Sequence, residues 1–223
     1  PYTESTMNQP SLQFVRDLAS SYDLVPVGRT VLGDLETPLS AYLKVRKRSQ
    51  RSFLFESVEG GEAVGRYSFL GVEPFQVFRS RGQRVAIDGL RDGIRRTIDG
   101  DPIEVLREEL ARFKAPQVEG MPRFTGGAVG YVGYDAVRLV EEIPDETDDD
   151  LILDDIVLMF FDTLLAFDNV EHMIHLISNV HVRDGVEPGY KMALEKIAAL
   201  EEALAQPLKA ELKGGRSPCE VRS

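Results

Sequence analysis

Hydrophobic residues recur every three to four positions in four parts of this 223-residue chain, and that spacing predicts amphipathic helices. The predicted helices lie near residues 10–22 and begin again near residues 37, 101 and 187. Each start combines a polar residue with a nearby proline, as in Thr37-Pro38 and Asp101-Pro102, and a first helical turn tolerates both. We therefore expect four helices, each with one apolar face.

Between these helices, apolar residues alternate with polar ones or form short unbroken runs, and both patterns predict β-strands. Such segments lie at 24–32, 53–55, 67–70, 75–78, 84–87, 126–134, 156–167 and 172–182. Turn residues at Gly82 and at Asp168-Asn169 join neighbouring segments into hairpins. Because hairpins dominate and no βαβ regularity is present, we predict an α+β fold of mainly antiparallel sheets, with helices packed on them.

The segment from residue 52 to residue 71 contains the most informative pattern. Its apolar run at 53–55 is typical of a strand that is buried on both faces, and it ends abruptly in Glu56 and Ser57. A carboxylate and a hydroxyl at the end of a buried strand are costly unless they find partners. These two residues therefore either cap nearby backbone groups or bind a ligand.

Two phosphate-binding motifs are excluded in this region. Residues 60–67 read G-x-x-x-x-G-R-Y, but a P-loop needs Lys and then Ser or Thr where Arg66 and Tyr67 stand, followed by a helix. The G-x-G-x-x-G spacing of a kinase glycine loop is absent. Asp88 also follows a Val-Ala-Ile run at the point where kinases have lysine.

The composition limits the partners of the chain. A hydrophobic content of 43% and a charged content of 28% are typical of a soluble globular protein. The formal charge of −11 argues against nucleic acid, and no apolar run approaches the length of a membrane span. The single cysteine, Cys219, excludes an internal disulfide framework. We therefore expect a cytoplasmic protein without a nucleic-acid or membrane partner.

No metal site is predicted from the sequence. His172, His175 and His181 lie in one predicted hairpin, without the i, i+4 spacing of a helical zinc pair. The acidic run at 141–155 holds nine carboxylates, but a metal site needs a few convergent oxygens, so a solvated loop is expected there. No nucleophile and base are paired by their spacing either.

Three separated motifs resemble the N-terminal region of anthranilate synthase component I. They are the segment 37–44, the run 54–57 together with 59–62 and 65–68, and the glycine-rich run 126–135. In that family, a strand motif of the form LLES belongs to the tryptophan feedback site, and here it reads Leu54-Phe55-Glu56-Ser57, with Phe at the second position. The resemblance extends from about residue 8 to about residue 205, which is nearly the whole chain.

The resemblance implies a tryptophan-binding effector site. A free amino acid needs an acceptor for its ammonium, donors for its carboxylate and an apolar slot for its side chain. Glu56 is the expected acceptor, and Ser57, Arg66 and Tyr67 are the expected donors. The expected apolar wall consists of Phe53, Leu54, Phe55 and Phe69. In an ideal strand Glu56 and Ser57 point to opposite faces, so both reach one ligand only where the strand ends or bulges.

The resemblance also implies the domain organisation and the partners. Residues 1–206 would form the regulatory domain, and residues 207–223 would form a linker toward a C-terminal catalytic domain. The family converts chorismate to anthranilate and pyruvate with ammonia from a glutamine amidotransferase, component II. Its Mg²⁺ is bound in the C-terminal half, so we expect no cofactor in this span and no activity from this chain alone. The family also allows a homo-oligomer.

Two alternatives to this interpretation stay open at the level of sequence. One is aminodeoxychorismate synthase, which shares the fold and can hold a structural tryptophan. The other is an independent amino-acid-binding module without catalysis.

Overall fold

The computed structural model describes residues 10–57, 65–144 and 151–208. The described residues form four α-helices: α1 (Leu12–Leu18), α2 (Pro38–Val45), α3 (Pro102–Ala111) and α4 (Val186–Ala205). Short 3-10 helices lie at Arg46–Arg48, Tyr134–Leu139 and Val182–Asp184. Residues 59–62 of the family motif, Cys219 and nearly all of the predicted linker lie outside the described residues.

The strands form two five-stranded sheets. The first sheet has the order β1-β10-β9-β3-β2, and the second has the order β6-β5-β4-β8-β7. Their bounds are β1 (Leu24–Leu32), β2 (Ser52–Phe55), β3 (Tyr67–Val72), β4 (Gln76–Arg81), β5 (Arg84–Gly89), β6 (Arg95–Asp99), β7 (Gly127–Val132), β8 (Ile156–Phe161), β9 (Thr163–Asp168) and β10 (Met173–His181). Every neighbouring pair of strands is antiparallel, which confirms the predicted α+β class.

Helices α2 and α3 begin where their capping residues predict, whereas α4 begins at Val186 without a side-chain cap. At the start of α2, Thr37 Oγ1 accepts a hydrogen bond from the Ser40 backbone N–H at 3.0 Å, and Ser40 Oγ accepts one from the Thr37 N–H at 2.9 Å. This reciprocal pair satisfies two N–H groups that a helix start otherwise leaves without partners. At the start of α3, the Asp101 side chain accepts from the Ile103 N–H at 2.8 Å. The first helix is shorter than predicted and ends at Leu18.

The first sheet packs one face against helices α1, α2 and α4. Successive side chains of β9 point to opposite faces of the sheet. Leu165 and Phe167 pack on the helix side, whereas Leu164 and Ala166 pack on the other side. The helix-side core includes Val15, Val25, Val45, Leu70, Leu176, Ile197 and Leu200. The opposite face is covered in part by Phe69 and Phe124.

The second sheet packs against α3 and the 3-10 helix at Tyr134–Leu139. Its core includes Phe78, Val85, Ile87, Ile156 and Phe160, with Leu106 and Phe113 packed against them. A separate cluster of Phe53, Val129 and Phe161 contains residues of both sheets. The rings of Phe53 and Phe161 lie 4.9 Å apart in an edge-to-face arrangement. The two sheets therefore meet through aromatic side chains.

The prediction of one long strand at 156–167 is wrong. The chain leaves the second sheet after Phe161 and enters the first sheet at Thr163, so Asp162 lies at the crossing point. Strand β8 pairs with β4 and β7, whereas β9 pairs with β3 and β10. A charged side chain in a buried run needs partners, and the crossing point supplies them for Asp162, as described below.

The prediction that residues 53–55 are buried on both faces is also wrong. Among the strands of the described residues, β2 lies at the edge of the first sheet and pairs with β3 alone. Phe53 is 7% exposed, whereas Phe55 is 57% exposed. Strand β6 was not predicted at all, because its sequence Arg-Arg-Thr-Ile-Asp contains a single apolar residue.

We expect Gly130→Ala to destabilise the protein by about 1–3 kcal/mol, the usual cost of overpacking. A Cβ at Gly130 would lie 1.9 Å from the backbone oxygen of Val157, because β7 and β8 pass very close to each other there. Gly100→Ala is the matched control, since a Cβ at that position has no neighbour within 4 Å. Urea unfolding of the two variants measures the difference, and equal midpoints would contradict the prediction.

Candidate functional site

The predicted effector residues lie at one end of the first sheet. Strand β2 ends at Phe55, immediately before Glu56 and Ser57, and strand β3 begins at Tyr67. Tyr67 is the register partner of Asp168, the last residue of β9. Three strand ends and the turn between β9 and β10 therefore meet at this place.

Two guanidinium N–H groups of Arg66 donate to one oxygen of the buried Asp168 carboxylate. Arg66 Nε and Nη2 donate to Asp168 Oδ2 at 2.9 and 2.6 Å, and Nη2 also lies 2.9 Å from Glu171 Oε1. The Asp168 side chain is 0% exposed, and its Oδ1 accepts from the Val170 and Glu171 backbone N–H groups. Burial alone would raise the pKa of Asp168, but the Arg66 hydrogen bond and the two N–H groups hold it below its usual range. Asp168 is therefore ionised at neutral pH.

Asn169 connects the same turn to both strand ends. Its Nδ2 donates to Gly65 O at 3.2 Å and to Ser68 Oγ at 3.3 Å, and its backbone N–H donates to Arg66 O at 2.8 Å. Ser68 Oγ in turn accepts from the Ser57 backbone N–H at 3.2 Å. The position of Ser57 is thus fixed through Ser68 by residues of the β9–β10 turn.

An aromatic surface lies on the face of the first sheet that is opposite the helices. The guanidinium carbon of Arg66 lies 5.2 Å from the centre of the Tyr67 ring, and the Phe69 ring lies 5.9 Å from it. The His175 ring follows at 6.4 Å, and His175 Nδ1 lies 3.0 Å from Thr30 Oγ1. Burial raises the pKa of Tyr67 and lowers the pKa of His175, so both side chains are neutral at pH 7.

The predicted apolar wall is not on one face. Leu54 packs against the helix-side core, whereas Phe55 pairs in register with Phe69 on the opposite face. Leu54 and Phe55 therefore cannot line the same side of one ligand. Glu56 is exposed and Ser57 is half-buried, directly beyond the end of β2.

Sequence reasoning missed Ser68, Asp168 and Asn169 as members of this cluster. Asp168 and Asn169 were interpreted only as turn residues, although Asp168 also ends an apolar strand. Like Glu56, Asp168 is a carboxylate at the end of an apolar run, and such a group needs partners. Ser68 carries no such signal, because its role depends on strand pairing.

A second polar cluster lies at the crossing between the two sheets. Asp162 is 0% exposed, and Lys196 Nζ of α4 donates to both of its oxygens at 2.8 Å. His181 Nε2 lies 2.9 Å from Asp162 Oδ2, and Thr163 Oγ1 donates to Oδ1 at 2.8 Å. Burial would raise the pKa of Asp162, but His181 and Lys196 outweigh burial and hold it well below the usual range. This satisfied cluster joins β9, β10 and α4.

Among the residues that the structure describes, no group of three or more His, Cys, Asp or Glu side chains could hold a metal ion. Within the same residues, no helix is long and apolar enough to cross a membrane.

The chain is thus an α+β protein with a hydrogen-bonded polar cluster at one end of its first sheet. No family model matches the chain. The chain is 37% identical over 198 residues to anthranilate synthase component 1 of Acetivibrio thermocellus. The matched region covers 89% of this chain and 40% of the relative. Nearly the whole chain is therefore similar to one segment of anthranilate synthase component 1.

Other relatives show the same similarity. Anthranilate synthase component 1 of Pseudomonas aeruginosa is 38% identical over 216 residues, covering 92% of this chain and 43% of the relative. The probable anthranilate synthase component 1 of Schizosaccharomyces pombe is 35% identical over 205 residues, covering 89% and 38%. The chain thus spans about 40% of the length of these relatives.

A solved structure supports the fold. The crystal structure of anthranilate synthase component I from Streptococcus pneumoniae matches with a TM-score of 0.54 and 24% sequence identity. The match covers 80% of this chain and 37% of that one. The curated relatives confirm the resemblance stated from the sequence motifs, and the solved structure confirms the fold.

Proposed function

We propose that this chain is the N-terminal, effector-binding part of an anthranilate synthase component 1. The complete enzyme would act as a lyase in tryptophan biosynthesis, converting chorismate and ammonia to anthranilate and pyruvate. The observation that carries this proposal is the 37% identity over 198 residues, which covers 89% of the chain.

We further propose that tryptophan binds at the end of the first sheet and inhibits the enzyme. The cluster there is predominantly anionic, because the carboxylates of Asp168 and Glu171 both contact the single guanidinium of Arg66. Glu56, which adjoins the cluster, adds a third carboxylate that is exposed. Such a surface favours an ammonium group, and the neighbouring rings of Phe55 and Tyr67 offer apolar contact for an indole.

The proposed site needs a further wall. A pocket for a small molecule usually buries about 70–90% of the ligand surface. Here Phe55 on the edge strand β2 is 57% exposed, and Leu32, at the same end of the sheet on the opposite edge strand β1, is 56% exposed. Because the chain spans only about 40% of its relatives, we propose that the rest of the enzyme closes the site. Tryptophan bound there would contact both parts of the enzyme, which gives a physical route for inhibition.

The remaining components of the activity are assigned to other chains or segments. The described residues offer no metal-binding group, so they do not fit Mg²⁺, and the carboxylates that hold it would lie in the remaining part of the enzyme. We propose that a glutamine amidotransferase, component II, supplies ammonia and that the assembly is cytoplasmic. The chain alone would have no lyase activity.

The proposal is tested by measuring anthranilate fluorescence with chorismate, Mg²⁺ and ammonium. The complete enzyme should produce anthranilate, and added tryptophan should suppress that production. The isolated chain should stay at background, because it lacks convergent Mg²⁺ carboxylates among its described residues. A complete enzyme without this activity, or an active one that tryptophan does not inhibit, would refute the corresponding part. Anthranilate production by the isolated chain, abolished by EDTA, would refute its inactivity.

A further inference from the structure

We propose that Asp168 and Asn169, in the turn between β9 and β10, are positioning residues of the effector site. We also infer that Arg66 acts within the protein, as the partner of Asp168, and does not bind the carboxylate of the effector. This inference rests on the proposed function, because it concerns how the same tryptophan site is built.

The hydrogen bonds of Asp168 are the first support. Both carboxylate oxygens are used, one by the Arg66 guanidinium and the other by two backbone N–H groups of its own turn. The side chain is 0% exposed, so it contacts no ligand directly. A fully satisfied buried carboxylate of this kind fixes the geometry of the residues bound to it.

The second support is that the turn reaches every predicted donor. Asp168 holds Arg66, whose guanidinium lies against the Tyr67 ring. Asn169 Nδ2 donates a hydrogen bond to Ser68 Oγ, and the same oxygen accepts one from the Ser57 backbone N–H. Ser57, Arg66 and Tyr67 are therefore connected to one turn by direct or single-step contacts. A displacement of that turn would move all of them.

The third support is the electrostatics of Arg66. Its Nε and Nη2 groups donate to the carboxylates of Asp168 and Glu171, so its positive charge is already compensated. The hydrogen bond and the charge of Asp168 raise the pKa of Arg66, which agrees with a strong pairing. A carboxylate of an effector would have to compete with two carboxylates for this guanidinium.

The substitution Asp168→Asn separates the two roles of Arg66, because they predict shifts of opposite sign. If Arg66 binds the effector, removing the charge of Asp168 frees the guanidinium and lowers the tryptophan concentration needed for half-inhibition. If the turn positions the site, the same substitution loosens Arg66 and raises that concentration. We expect a rise of about tenfold or more, as for the loss of a hydrogen bond to a charged group.

The experiment is a double-mutant cycle in the complete enzyme, with Asp168→Asn, Arg66→Gln and the double variant. Half-inhibition by tryptophan is measured against each variant's own uninhibited rate, together with the KM for chorismate. We expect each single variant to raise the half-inhibition concentration and the double variant to be no worse than the single ones, since both remove one interaction. A fall or no change with Asp168→Asn, or fully additive effects, would overturn the inference.

Two further variants make the outcome decisive. Glu187→Gln is the control, because Glu187 pairs with Arg16 on the helix side, and its inhibition curve should equal that of wild type. Asn169→Ala removes the hydrogen bonds to Gly65 and Ser68, and we expect a rise of several-fold. If Asp168→Asn does not fold, as shown by the absence of a cooperative thermal transition, Asn169→Ala decides, and an unshifted curve overturns the inference. A wild-type enzyme that tryptophan does not inhibit refutes the proposed function instead.

Discussion

Lys196→Met is expected to lower the free energy of unfolding by about 3–5 kcal/mol, the usual cost of removing one partner of a buried ion pair. The substitution leaves the fully buried carboxylate of Asp162 without the ammonium that lies 2.8 Å from both of its oxygens. His181 and Thr163 would then be its remaining side-chain partners among those described. Chemical denaturation monitored by circular dichroism measures the effect.

Two variants show whether the loss comes from the buried charge. Lys191→Met lies on the same helix, but its ion pair with Glu195 is exposed and 3.9 Å long, so we expect a change of less than about 1 kcal/mol. The double variant Asp162→Asn with Lys196→Met removes the unpaired charge, and we expect it to be more stable than Lys196→Met alone. A double variant that is less stable would show that lost packing, and not electrostatics, causes the effect.

The same cluster predicts a pH dependence. The pKa of Asp162 is lower in the folded protein than in the unfolded chain, so its contribution to stability is present above pH ~4 and is lost as the pH falls. Lys196→Met removes a positive charge that lowers this pKa. The pH at which stability starts to fall is set by the pKa of Asp162 in the unfolded chain, which the substitution does not change. Because the pKa in the folded variant is higher, we expect the variant to lose less stability than the wild type as the pH falls below ~4. Denaturation series between pH 3 and pH 7 compare the two proteins, and parallel curves would contradict this expectation.

Ser57→Phe in the complete enzyme is expected to weaken tryptophan inhibition strongly. Loss of one hydrogen bond to a charged ligand costs about 1.5–3 kcal/mol, which is a rise of about 10- to 150-fold in the inhibitory concentration. Ser57 is half-buried, and its backbone N–H donates to Ser68 Oγ, so a bulky ring there would also have to displace neighbouring groups. Inhibition curves, each normalised to the uninhibited rate of the same variant, measure the shift.

The matched control is Ser21→Phe, at an exposed serine in the turn after α1. It introduces the same ring away from the sheet end, so its inhibition curve should coincide with that of wild type. If Ser57 only turns the chain, Ser57→Phe would reduce stability and uninhibited turnover together, and sensitivity to tryptophan would not change. An unshifted inhibition curve would therefore remove Ser57 from the effector site.

Local patterns predicted most of the elements of this fold. The strand at Leu24–Leu32 was placed at its observed bounds, and the capping residues Thr37 and Asp101 marked the starts of α2 and α3. These predictions succeed because caps and periodicity depend on neighbouring residues only. Strand β6 was missed because it is held by pairing with β5, and its own sequence lacks an apolar alternation.

The candidate site was predicted only in part, for a related reason. The sequence singled out Glu56 and Ser57 because polar groups that end an apolar run need partners. The sequence could not show that Asp168 lies directly opposite Tyr67. That proximity comes from pairing between strands that are about 100 positions apart in the chain. The faces of Leu54 and Phe55 were likewise decided by the helices that cover one side of the sheet.

The sequence by itself determined the α+β class, most helix and strand positions and, through its motifs, the family resemblance. Only the tertiary structure decided how the apolar run at 156–167 is used. Local propensity favours one continuous strand there, yet the chain changes sheets at Asp162. The reason is that a buried carboxylate is stable only beside its partners, and Lys196 and His181 reach Asp162 from α4 and β10 at that crossing.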